Sequence, residues 1–260
     1  MMKLISIDVK SDFGFFRKPE TNNTLNVSYN MIHKPAIWGL LGAVIGLKGY
    51  QEKGKLPEYY NKLSDLKIGI APLNHENGNF SKTSIKYSNT VGYANKGTTF
   101  LTEELTLIAP QYRIYLLLDK EVEEQKQLLW NLKNGHTEFI PYFGKNEFTA
   151  WWDNYQEYEY EVAQLNEEDK IRIDTLFVKN QTLSENSEEP SAELDFLDFG
   201  LDNFNEPPFM YFERLPIGFN LQLMQYELTE MVYSNYKIKN VRSMPNIFYL
   251  TKENSYVQLI

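Results

Sequence analysis

The chain has 260 residues, of which 42% are hydrophobic and 23% charged, and a formal net charge of −9. Such a composition suits a globular protein with room for one large domain or two small ones, and the acidic total argues against a general nucleic-acid binder. Without cysteine, disulfides and thiolate metal sites are excluded, and His33, His75 and His136 lack close ligand spacing, so no metal and no cofactor are expected. The longest apolar run, Ala36 to Leu47, is punctuated by glycine and falls short of the roughly 20 residues that cross a bilayer. The first residues alternate polar and apolar, unlike a secretory signal. A soluble cytoplasmic protein with no membrane partner is expected.

Taken in order, Leu4 to Val9 has strand chemistry, and Ser11 to Asn26 reads as a polar loop containing Phe15-Phe16-Arg17-Lys18. Pro35 to Leu47 predicts a helix with Pro at its first position. Gly39, Gly42 and Gly46 share one face of it, where another backbone can approach closely. Lys67 to Ala71 predicts a strand. Residues 74–99, rich in Asn, Gly, Ser, Thr and Lys, predict a long hairpin or mobile excursion. Leu105 to Ile108 and Tyr112 to Leu118 predict strands. Glu121 to Asn134 predicts a helix with acids at its start and Gly135 just past its end. Phe139 to Trp152 is strand-like around a turn at Gly144-Lys145-Asn146.

The order strand, helix, strands, helix, strand predicts an α+β fold built on a ferredoxin-like split βαβ unit with an inserted hairpin. This unit is expected over residues 1–152, with the hairpin at about 74–104. Residues 153–260 are expected to be β-rich, with strands at Tyr155 to Leu165 and Ile171 to Val178 and short aromatic-rich strands from Phe209 onward. Between them, residues 184–208 contain eight acids and no Lys or Arg, the composition of a disordered or loosely held insertion.

Charge is distributed unevenly. Residues 1–100 balance to +6, residues 101–150 to −3 and residues 151–260 to −12. A polyanion would therefore be drawn to the N-terminal part. Four features suit RNA, three of them in that part. His33-Lys34 precede a helix start, where free N–H groups and the dipole favour a phosphate, unless the pair simply covers the helix end in solvent. Phe15-Phe16-Arg17-Lys18 sets rings for base stacking beside cations, although alternation turns at least one ring inward. Residues 82–96, with Lys82, Lys86, Tyr93 and Lys96 and no acid, either form an ordinary flexible loop or lie along a nucleic acid. The Lys145-Asn146 turn can cradle a phosphate on its N–H groups, though such turns are common at hairpins.

Several of these segments together resemble CRISPR-associated protein 5 of the RAMP superfamily, most closely the variety of type I-B Cascade. They are the opening strand, the Phe-Phe-Arg-Lys-Pro loop, the run from His33-Lys34-Pro35 to Gly46-Leu47, Thr90-Val91-Gly92-Tyr93, and Pro141-Tyr142-Phe143-Gly144-Lys145-Asn146-Glu147-Phe148. The resemblance covers about residues 1–152 and is loose beyond them. It implies an RNA-recognition-like (RRM-like) palm with a protruding thumb hairpin. It also implies a non-catalytic subunit that grips the crRNA 5′ handle and caps a filament of family 7 backbone subunits. Contact with the large subunit, and through it indirectly with target DNA, follows from the same resemblance. By matching position, Arg17, Lys18, His33, Lys34, Lys145 and Asn146 become handle-contact candidates, and residues 82–96 the thumb; Phe15 is the RNA-stacking candidate beside them.

The alternative is a metal-independent endoribonuclease that processes precursor crRNA. There a base deprotonates the ribose 2′-OH and a cation stabilises the phosphate charge; His33 with Lys34, or Tyr50, would serve.

Overall fold

The computed structural model describes residues 1–21, 25–88, 101–166, 168–179, 207–238 and 244–260. The first strand, β1 (Met2–Ser11), is buried through Val9 because its two faces meet different partners. Ile5, Ile7 and Val9 enter the main core, while Leu4 joins a second cluster on the opposite side, as the period of two requires. The following segment, expected as a polar loop, instead holds β2 (Phe13–Gly14), β3 (Phe16–Arg17) and the start of β4 (Leu25–Tyr29). Phe13, Phe16, Val27 and Tyr29 supply strand chemistry that the polar composition masked. Both Phe15 and Phe16 are buried.

Helix α1 (Lys34–Val44) starts where His33, in extended geometry, caps it with its own ring. It ends before Leu47 because Gly46 adopts φ +78°. The short α2 (Glu58–Leu63) was not foreseen, since six residues carry too little periodicity to read. It fills the glycine face of α1: a Cβ on Gly42 would lie 2.7 Å from the Tyr59 Cβ. The close approach read from the glycines is therefore made by a tyrosine side chain rather than by backbone.

Strand β5 (Lys67–Leu73) follows, then the hairpin of β6 (Lys82–Ser88) and β7 (Leu101–Ile108), then β8 (Gln111–Asp119). The hairpin register runs from Lys82 opposite Leu107 to Ser88 opposite Leu101. Its intervening residues, including Tyr93 and Lys96, lie outside the described residues. Helix α3 (Glu123–Asn134) ends on Gly135 at φ +64°, and β9 (Ala150–Tyr158) completes the first sheet. The turn expected at 144–146 is present, but the strand-like residues 139–149 around it pair only through one bridge between Tyr142 and Thr149. Gly144 at φ +81° breaks the extended path there. The boundary expected at 152 falls inside β9.

The first sheet is antiparallel with order β5-β8-β1-β9. Counted along the β-α-β-β-α-β path, this order is 4-1-3-2 when read from β9. Ile37 and Leu41 of α1 and Leu128 and Leu132 of α3 cover one face. The tail covers part of the other. It begins with β10 (Tyr160–Val162) and β11 (Phe177–Val178), so residues 171–178, expected as one strand, pair mostly through single bridges at Ile171 and Ile173. Strands β12 (Met210–Asn220) and β13 (Gln225–Ser234) form a hairpin longer than the short segments expected. Last come β14 (Ile247–Leu250) and β15 (Ser255–Gln258).

Phe248, Leu250, Val257 and Leu259 pack on Leu4, Tyr115, Leu117 and Tyr158. Beyond them the same sheet face turns polar: Asp8 accepts from Arg113 at 2.7 and 2.9 Å and from Asn154 at 2.7 Å. Leu215, Met231 and Tyr233 of the long hairpin join the main core, so the two halves of the chain share it. Residues 184–206 of the acidic segment lie outside the described residues. The protein is thus α+β, strand-rich, with three helices among the described residues.

Candidate nucleic-acid interface

A cleft of about 670 Å³ opens along α1. Three distant segments meet in it: Phe15–Arg17 on and beside β3, His33 to Leu47 on α1, and Phe139 to Lys145 in the turn before β9. The turn is docked by backbone contact, because Phe15 N–H donates to the Phe143 carbonyl at 3.0 Å. A Cβ on Gly144 would lie 1.9 Å from the Phe15 oxygen, so only glycine permits this approach.

His33 is 6% exposed and forms part of the cleft wall. Its Nδ1 accepts from the Ala36 N–H at 3.2 Å, filling the helix N-terminus with its own imidazole. Rings of Tyr29, Tyr226 and Phe16 surround it at 5.4, 5.7 and 6.1 Å. Burial pushes its pKa from 6.5 down to about 3, so it is neutral at neutral pH. Below pH 6.5 the unfolded chain gains a proton that the folded chain does not. Stability is therefore full above 6.5 and is lost, by at most about 1.4 kcal/mol per pH unit, on acidification toward 3. His33→Asn, which keeps a capping side chain, is expected to flatten the change in urea midpoint between about pH 7 and pH 5. Equal slopes in both proteins would contradict this.

The predicted cations separate into two groups. Lys145 is held by Glu104 at 2.7 Å and Glu147 at 3.2 Å, and sits over the Tyr87 ring at 4.2 Å. Partial burial lowers its pKa, but the bonds to Glu104, Tyr87 and Glu147 outweigh that and raise it overall. It joins the turn to both strands of the hairpin, since Tyr87 lies on β6 and Glu104 on β7. Lys18 is paired with buried Glu213 at 3.0 Å and lies over Tyr29. Lys34 is half-buried over the Trp38 ring at 5.4 Å, and burial lowers its pKa. By contrast Arg17 is exposed at the cleft. Asn146 is exposed at the turn tip, and Lys82 and Lys86 are exposed on β6, Lys86 at 3.8 Å from Glu103.

The sequence reading missed most of the cleft's rings. Phe139, Tyr142, Tyr59 and Tyr226 line it, and Tyr50 appeared only as a candidate for cleavage chemistry. Tyr50, Phe139 and Tyr142 are 68%, 56% and 45% exposed, and Ile140 between the latter two is 69% exposed. The run Phe139-Ile140-Pro141-Tyr142 next to a turn glycine was the available signal. Among the described residues, no group of three or more His, Asp or Glu is placed to hold a metal. No helix among them is long and apolar enough to cross a membrane.

No family model matches the sequence. No curated protein matches it either. Solved structures similar to it include CRISPR-associated proteins. A CRISPR protein from Archaeoglobus fulgidus aligns over 99% of this chain and 98% of its own, with 14% identity and a TM-score of 0.49. A chain of the Type III-B Cmr-beta structure bound to cognate target RNA and AMPPnP aligns over 98% and 99%, with 10% identity and a TM-score of 0.48. With a crystal structure of a Cas protein the match spans 55% of this chain and 57% of that one, at 15% identity and a TM-score of 0.35.

Proposed function

We propose that this chain is a non-catalytic subunit of a CRISPR effector complex of the type I-B Cascade kind, and that its α1 cleft holds the 5′ handle of the crRNA. The observation that carries the reading is the convergence of Phe15–Arg17, α1 and the 139–145 turn on one cleft rimmed by exposed rings. These three segments also carry the sequence resemblance to CRISPR-associated protein 5. Recognition of single-stranded RNA relies on rings that stack splayed bases and on cations that meet phosphates, and the cleft offers both.

In this reading the 4-1-3-2 sheet and its helices are a ferredoxin-like palm, and the β6–β7 hairpin is the thumb. Lys145 ties the thumb to the palm. Family 7 backbone subunits and the large subunit are the protein partners, and target DNA is met through them. A histidine with a pKa near 3 is a weak general base, which favours binding over cleavage.

The test incubates labelled repeat RNA with the purified protein in EDTA, alone and with its Cascade partners. RNA is expected to be bound and left intact, and Arg17→Glu is expected to weaken binding about tenfold. A discrete cut at the handle, or no association in either setting, would overturn the reading.

A further inference from the structure

We infer that the cleft recognises the rings of unstacked bases and meets no more than about one phosphate. The inference rests on the RNA reading above and specifies its chemistry. Among the described residues lining the cleft, the charged side chains are Arg17, Lys145 and Glu104. Lys145 and Glu104 neutralise each other at 2.7 Å, with Glu147 at 3.2 Å from the same ammonium. Lys18, next to Arg17, is engaged by Glu213 at 3.0 Å. Arg17 is exposed and has no ion pair among the described residues. Of the described side chains that line the cleft, one cation is thus available to a polyanion.

Around that cation the cleft presents apolar surface. Tyr50, Phe139 and Tyr142 come from two separate loops and expose about half or more of their area, as does Ile140. Apolar side chains gathered around a concave surface mark a binding site. Stacking on such rings tolerates any base, and it neutralises no phosphate, so it releases no counterions. A groove that tracks phosphates behaves differently. For single strands, log K falls with log salt by about 0.7 for each phosphate neutralised. One available cation gives a slope near −0.7, whereas four or more contacts give about −3 or steeper.

Fluorescence anisotropy on the purified full chain distinguishes the two. The probes are a repeat-derived RNA of about eight nucleotides and an abasic ribose-phosphate oligomer of the same length, titrated from about 50 to 400 mM KCl. The expected slope has a magnitude of about 1 or less, and the abasic oligomer binds at least about tenfold more weakly. Tyr142→Ala is expected to weaken RNA binding at least about fivefold at both ends of the salt range, while Tyr142→Phe retains it. A slope of about −3 or steeper, or equal binding of the abasic oligomer, would overturn the inference while leaving RNA binding intact. Failure of both oligomers to bind the chain and its assembled complex would remove the RNA reading itself.

Discussion

Gly144→Ala is expected to destabilise the protein by about 3 kcal/mol or more, the largest effect of alanine at any of the described glycines. The added Cβ would sit 1.9 Å from the Phe15 oxygen and 2.7 Å from its carbonyl carbon. Neither atom can swing aside as a side-chain tip would. The turn must lift, which breaks the 3.0 Å bond from Phe15 N–H to the Phe143 carbonyl and uncovers Phe143, now fully buried. The left-handed backbone at φ +81° adds roughly 1 kcal/mol for any residue with a Cβ. Two controls separate these causes by urea unfolding. Gly135→Ala, at φ +64° with open space around it, should lose only the backbone contribution of about 1 kcal/mol. Gly49→Ala, with nothing within 4 Å, should stay within about 0.5 kcal/mol of the parent. Equal stability of the Gly144 and Gly135 variants would show that the turn does not hold the cleft closed against β3.

Glu213→Ala is expected to cost about 3 kcal/mol, lowering the melting temperature by on the order of 10 °C. The Glu213 side chain is 6% exposed and reaches from β12 to the segment ahead of α1. It accepts from Asn30 N–H at 3.1 Å, Met31 N–H at 3.0 Å and the Tyr211 hydroxyl at 2.8 Å, and pairs with Lys18 at 3.0 Å. Its loss leaves two main-chain donors and a partly buried ammonium without an acceptor. Lys18→Met removes only the ammonium and should cost clearly less, since the other three donors keep their partner. The double variant should be more stable than the sum of the single losses implies, because each partner is costly mainly when left alone. Strict additivity in calorimetry would contradict the coupling.

Much of the fold was legible in the sequence, because β1, α1, β5, β8 and α3 are long and strongly patterned. What stayed hidden depends on pairing across distance. Lys145 looked like a phosphate grip at a turn tip, and its partner Glu104 lies 41 residues away on another strand. Lys18 meets a carboxylate nearly 200 residues on, in β12. The glycines of α1 announced a close approach but not that Tyr59, on a six-residue helix, makes it. His33 was read at the correct place, the helix start, yet burial turned it into the helix's own cap. The ring-lined side of the cleft went unread because Tyr50, Phe139 and Tyr142 stand in irregular segments, where no periodicity marks a shared face. Arg17, read as a handle-contact candidate, lies at the cleft and keeps its charge available because no carboxylate folds against it among the described residues.

Photo-crosslinking tests the central claim most directly. Repeat RNA carrying 4-thiouridine in its handle is irradiated in the assembled complex, and the labelled peptides of this chain are mapped. Crosslinks to peptides containing Tyr50, Phe139 or Tyr142 are predicted. Labelling confined to β10, β11, β14 and β15, or labelled neighbouring subunits beside an unlabelled chain, would contradict the α1 cleft as the handle site.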